Sequence, residues 1–73
     1  MTQNEMILEH LKKHGSITQA EAIRDMGCYR LGARVYDLRR SGHHITRIME
    51  KSTNRYGVTV SYARYALNDR PAQ

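Results

Sequence analysis

Between Cys28 and Arg64 the chain sets eight basic side chains, Arg30, Arg34, Arg39, Arg40, Arg47, Lys51, Arg55 and Arg64, against two acidic ones, Asp37 and Glu50. Nine of the twelve basic residues in the whole chain are arginine. A guanidinium is a planar fork that grips a phosphate or a guanine edge with two parallel hydrogen bonds, which an ammonium cannot do. The chemistry on offer is therefore recognition of a polyanion. Arg30 and Arg34 stand one helical turn apart, a spacing at which they address neighbouring base pairs, or one base and one phosphate. Ahead of Cys28 the balance reverses, with Lys12, Lys13 and Arg24 against Glu5, Glu9, Glu21 and Asp25. The formal net charge of +5 thus resides in the second part of the chain, as a phosphate-facing surface requires.

Other chemistries find no support. The serines lack a histidine and an acid at readable spacing, there is no glycine-rich phosphate loop, and the acids are scattered, so no catalytic residue is expected and the chain is not read as an enzyme. His10 and His14 are four apart on one helix and His43 and His44 are adjacent. Neither spacing matches a zinc finger or a metalloprotease, and no metal or cofactor is expected. Cys28 is alone, which excludes an internal disulfide and suits a small turn residue in a reducing compartment. No apolar run has the length of a signal peptide core or a membrane span, so the expected setting is the cytoplasm of a bacterial cell, with no membrane partner and no small-molecule substrate.

The elements that must position these arginines can be read from caps and periodicity. The chain has 73 residues, room for one domain with one small core. A first helix is expected to begin after Asn4 as N-cap, to bury Ile7, Leu8 and Leu11, and to close at His14 and Gly15. Lys12, Lys13 and His14 fall in its last turn, where positive charge is favoured by the helix dipole. Ser16 and Ile17 form a short extended link. Thr18-Gln19-Ala20-Glu21 is a capping box, with Ile17 stapled on Ala22 and a buried stripe of Ala22, Ile23 and Met26 in a second helix ending at Gly27. A third helix is expected from Tyr29 to Ser41, ended by Gly42, with Leu31, Val35 and Leu38 facing inward. From His44 to Glu50 and from Val58 to Leu67 the residues alternate as strands, joined by the polar stretch Lys51 to Gly57. Val58, Val60 and Tyr62 make one half-apolar register and Ala63, Tyr65 and Leu67 the other, so the core-facing side stays open, as does a bulge between them. The sum is an α+β chain in which a three-helix bundle is followed by a β-hairpin wing. The domain covers 1–67 and residues 68–73 form a frayed tail.

On a helix of 3.6 residues per turn, the face opposite Leu31, Val35 and Leu38 carries Tyr29, Arg30, Ala33, Tyr36, Asp37 and Arg40, with Arg34 on the flank. The small Ala33 would let base edges approach while the longer side chains around it read them. Asp37 either orients an arginine or accepts from cytosine, and an ion pair with Arg34 three residues back competes with both. Tyr29 and Tyr36 suit phosphates or a thymine methyl, and Tyr36 suits the rim of the core as well. The Thr18 and Gln19 amides at the start of the second helix form an anion site for which the capping box competes. Arg47, Lys51, Arg55 and Arg64 lie along the hairpin, where basic side chains straddle phosphates or enter the minor groove, and where they also protect an edge from pairing.

The stretch I-L-E-H-L-K-K-H-G-S-I-T-Q-A-E-A-I followed by R-L-G-A-R-V-Y-D-L-R-R-S-G-H-H-I, from Ile7 to Ile45, resembles the winged helix-turn-helix domains of small bacteriophage and prophage proteins. The resemblance covers over half the chain, and its R-L-x-x-R-V-x-D-L-R core is fairly specific for the fold. It implies double-stranded DNA as partner and the Arg30 to Arg40 helix as the reading element. The expected function is control of transcription, replication or excision in a phage-type gene set, by a homodimer on a two-fold site or with a partner protein. A protein-interaction module that binds or inhibits a host protein is the alternative, since a fold never fixes its function. RNA binding ranks third, because the exposed sheet aromatics of a single-strand binder are missing.

Overall fold

A computed structural model describes residues 1–68 of the chain. The elements in order are α1 (Gln3–His14), β1 (Ser16–Thr18), α2 (Gln19–Met26), α3 (Leu31–Arg40), β2 (Ile45–Thr53) and β3 (Thr59–Leu67). The strands form one antiparallel sheet in the order β1-β3-β2.

Two reciprocal capping boxes start the first two helices. In α2 the Thr18 hydroxyl accepts from the Glu21 amide at 3.3 Å while the Thr18 amide donates to Glu21 at 2.9 Å, as the sequence predicts. The start of α1 differs from expectation. Its cap is Thr2, which exchanges the same two bonds with Glu5 at 3.1 and 2.8 Å, so the helix opens two residues before Asn4. The Glu5 carboxyl is held below its ordinary value chiefly by its bond from the Thr2 backbone. Asn4 is released from capping, and its amide reaches across to Asp37. Gly15 and Gly27 end α1 and α2 in the left-handed region, at φ 86° and 65°, where a side chain would be strained.

The third helix is shorter at both ends than the expected Tyr29 to Ser41. Tyr29 and Arg30 belong to the turn, and Ser41 caps the end. The Ser16–Thr18 link is a true strand, with Ser16 opposite Ala66, Ile17 opposite Tyr65 and Thr18 opposite Arg64. In β2 the ladder continues past Glu50 to Thr53, in an unbroken one-to-one register from Ile45 opposite Leu67 to Thr53 opposite Thr59, so there is no bulge. That register resolves the open choice. Tyr65 and Leu67 pack on the core with Ile17 and Ile45, and by alternation Ala63 shares their side while Val60 and Tyr62 face away. Val58 and Val60 remain exposed.

Ile7, Leu11, Ile17, Ala22, Cys28, Leu31, Val35, Leu38 and Ile45 form the buried cluster, edged by Leu8, Met26, Tyr65 and Leu67. Ile23 departs from expectation by being 38% exposed. At eight residues α2 turns only a narrow stripe inward, and Ala22 and Met26 occupy it. Asn68, expected to begin a frayed tail, is bound to the sheet instead. Its amide donates to the His44 carbonyl at 2.7 Å and its side chain to the Thr46 hydroxyl; the rest of that tail lies outside the described residues.

Candidate nucleic-acid interface

Leu31, Val35 and Leu38 anchor α3 to the core, and its two flanks are covered by different neighbours. On the α1 side Arg34 pairs with Asp37 at 3.3 Å, and Asp37 accepts from Asn4 at 3.4 Å. Arg34 Nε and Asn4 Oδ1 are buried there without a hydrogen-bond partner. These two expected contact residues are therefore turned against α1, and the competing ion-pair reading describes them. On the sheet side Arg39 sends Nε and Nη2 to the Ile45 carbonyl at 3.0 and 2.8 Å, tying the end of α3 to the start of β2.

Between those flanks lies an open face. It carries Gly32, Ala33, Tyr36 and Arg40, with Tyr29 and Arg30 at its leading end. Tyr29 is 74% and Tyr36 59% exposed, and the Arg40 guanidinium lies 5.8 Å from the Tyr36 ring centroid, a cation–π distance that steadies a long side chain on the surface. Gly32 was not among the residues the sequence singled out for this face. Its signal was present, since a glycine inside a helix is unfavourable and calls for a reason.

At the start of α2 the capping box that competes with the expected anion site is formed. The Thr18 hydroxyl and amide are both consumed by Glu21. Gln19 acts through its side chain: Nε2 donates to the Cys28 carbonyl at 2.7 Å and Oε1 accepts from the Leu31 amide at 3.0 Å. Arg30 offers no side-chain cap to α3, so Gln19 supplies one from the preceding helix and thereby sets the angle between α2 and α3. Gln19→Ala leaves two backbone groups without these partners and is expected to cost about 1–3 kcal/mol. A urea melt checks this, and an unchanged midpoint would count against the bracing role.

The wing divides its cations between two sheet faces. Arg47 and Lys51 alternate with the outer face and share the side on which Ile45 packs on the core. Arg47 is the cross-strand partner of Tyr65, whose hydroxyl lies 3.8 Å from where a Gly32 Cβ would stand. The wing's basic side therefore joins the open face of α3 at its leading end. At the tip the Asn54 side chain accepts from the Tyr56 and Val58 amides at 2.9 and 3.1 Å, and Gly57 takes φ 76°. This turn presents Arg55 and the 81% exposed Tyr56 outward. Tyr56 was not foreseen; the N-R-Y-G turn pattern was the available cue.

Arg64 leaves the expected set of wing contacts. It faces the other side of the sheet, donating to Glu50 at 2.9 Å and to Ser16 at 3.0 Å, with Glu21 at 3.7 Å. It stitches β3 to both neighbouring strands and to α2. The bond from Arg64 holds the Glu50 carboxyl below its ordinary value, with a smaller contribution from Tyr62.

Apart from Lys12 and Lys13, which are exposed in the last turn of α1, the described basic side chains fall into two sets. Arg24, Arg34, Arg39 and Arg64 are engaged within the protein. Arg30, Arg40, Arg47, Lys51 and Arg55 are exposed and form no ion pair with a described residue. Elsewhere, the His10 and His14 rings meet at 4.6 Å between centroids, and among the described residues no group of three or more potential metal ligands comes together. No helix among the described residues is long and apolar enough to cross a membrane.

A family model described as a winged helix-turn-helix domain matches residues 2–70. Comparisons with curated proteins and with solved structures returned no match.

Proposed function

Because the chain belongs to the winged helix-turn-helix domain family, a DNA-binding fold, we propose that it reads duplex DNA with the open face of α3 in the major groove and the wing on the flanking backbone. The observation that carries this reading is the division of the basic side chains. A charge meant for structure finds an acid or a carbonyl, as Arg34, Arg39 and Arg64 do. The cations between Cys28 and Arg64 that form no ion pair with a described residue instead gather on α3 and the wing, where phosphates would supply partners.

The roles follow from position. Arg30 and Arg40, at the two ends of the open face, address base edges or the phosphates beside them, while Tyr29 and Tyr36 offer hydroxyls and apolar ring surface between them. Arg47, Lys51 and Arg55 follow the backbone from the seam to the wing tip, with Arg55 placed for the minor groove. One such module spans few base pairs, so two copies on a two-fold site are the expected stoichiometry. The biological role we assign is regulation of transcription, replication or excision in a phage-type gene set.

Selection of bound duplexes from a random library at near-physiological salt tests the proposal. The expected result is an enriched motif whose affinity falls with salt with a log–log slope of up to about −4.5 per bound copy, from the five exposed cations that form no ion pair with a described residue. If no duplex is enriched and binding is negligible even at low salt, the proposal fails, and a protein partner becomes the reading to pursue.

A further inference from the structure

Five glycines occur in the chain, and the backbone explains four of them. Gly15, Gly27, Gly42 and Gly57 all have positive φ at turns or helix ends. Gly32 has no such reason. It is the second residue of α3, it is not in the positive-φ region, and it is exposed.

Packing does not require it either. Among the described residues, a Cβ built at position 32 meets only the Tyr65 hydroxyl, at 3.8 Å, an ordinary van der Waals distance. Within the protein an alanine would fit and would favour the helix, because glycine loses more backbone freedom on folding and buries less surface. The chain thus forgoes stability at a position where the described residues ask for nothing. The surroundings differ from the residue itself: Tyr29, Arg30, Tyr36 and Arg40 on the same face are all long and exposed. A side chain at position 32 would stand among them and hold any flat partner away from the helix backbone.

We propose that Gly32 is the point of closest approach between α3 and DNA, an inference that rests on the DNA-binding reading of this face. Without a side chain there, the helix backbone settles deeply enough for the flanking arginines and tyrosines to reach base edges; with one, the helix is lifted and those contacts lengthen together. The role is positional, and it concerns the size of the side chain rather than its charge.

A graded series, Gly32→Ala, Gly32→Ser and Gly32→Gln, tests this. Each is neutral, so the electrostatic contribution to binding is held constant. Thermal melts are expected to show Gly32→Ala raised by about 5 °C and Gly32→Gln no lower than the parent. Titration of the selected duplex is expected to show affinity falling stepwise with side-chain size, measurably in Gly32→Ala and by about tenfold or more in Gly32→Gln, the equivalent of one good base contact. Affinity that stays flat across the series, while the parent binds and Arg40→Ala does not, overturns the role of Gly32 and leaves the DNA-binding reading intact. A parent that binds no duplex overturns both. Weakening that tracks a fall in melting temperature also overturns it, since Gly32 would then serve the fold.

Discussion

The Arg30→Ala, Arg40→Ala double variant is expected to bind the selected duplex about 100-fold more weakly than the parent while losing less than about 1 kcal/mol of stability. A guanidinium that reaches a base edge contributes about 1–3 kcal/mol of recognition. The two positions are separated by nearly three turns of α3, about 15 Å along the axis, far enough apart for their losses to add. The fold has little at stake in either. Arg30 makes no side-chain cap to α3, and among the described residues Arg40 leans on the exposed Tyr36 ring alone. Anisotropy titrations at several salt concentrations separate the two kinds of contact. An arginine on a phosphate reduces the salt slope by about 1 when removed, whereas one on a base blurs the selected motif at that position. Arg39→Ala should behave in the opposite manner, because its two bonds to the Ile45 carbonyl hold α3 on the sheet. Parent-like affinity in the double variant would remove α3 as the reading element.

Which parts of this arrangement could be read from the chain depends on how local their causes are. The Thr18–Glu21 capping box, the glycine ends of α1 and α2 and the stripe of Leu31, Val35 and Leu38 are set by residues within a few positions of one another, and the structure has them as expected. β1 escaped because three residues carry no period, and its pairing with Ala66, Tyr65 and Arg64 is made across the whole chain. The extension of β2 to Thr53 escaped for a different reason. Beyond the core the wing has nothing to bury, so the alternation that marks a strand fades while the ladder continues. The same cause hid the register of β3, whose outer face keeps Val60 exposed, next to the exposed Val58 just before the strand, and so looks as apolar as the inner one.

The site was legible as a helix and a sign of charge, and less so as a surface. A helical projection gives the angle of each side chain but not the neighbour that covers it. Arg34 and Asp37 project away from the buried stripe, yet α1 lies against that flank and takes them up through Asn4. Asn4 itself was free for this because a second capping box, Thr2 with Glu5, starts the helix earlier. Gln19 shows the same limit from the other side. Its side chain is bonded to the Cys28 carbonyl and the Leu31 amide, contacts that only the fold brings within reach.

Leu31→Ala is expected to be the most damaging single truncation on α3. Leu31 has no exposed surface, and replacing a fully buried leucine by alanine costs about 2–5 kcal/mol, part lost transfer energy and part the cavity left behind. A domain of 73 residues has on the order of 4–11 kcal/mol in total, so one substitution removes a large fraction of what holds α3 in place. A loss of about 3 kcal/mol corresponds to a melting temperature lower by roughly 12–24 °C at this size. Ile23→Ala provides the comparison. Ile23 is as apolar, but at 38% exposure it lies outside the buried cluster, and its truncation should cost no more than about 1 kcal/mol. Calorimetric melts of the two variants measure the difference directly. Equal losses would mean that α2 buries its outer stripe as the sequence alone suggested, and that the angle between α2 and α3, on which the open reading face depends, is other than the one Gln19 holds here. With the expected order, affinity measured at low temperature should fall in Leu31→Ala only by the fraction unfolded, because the side chains we propose to meet DNA are on the opposite side of the helix from the one that was cut.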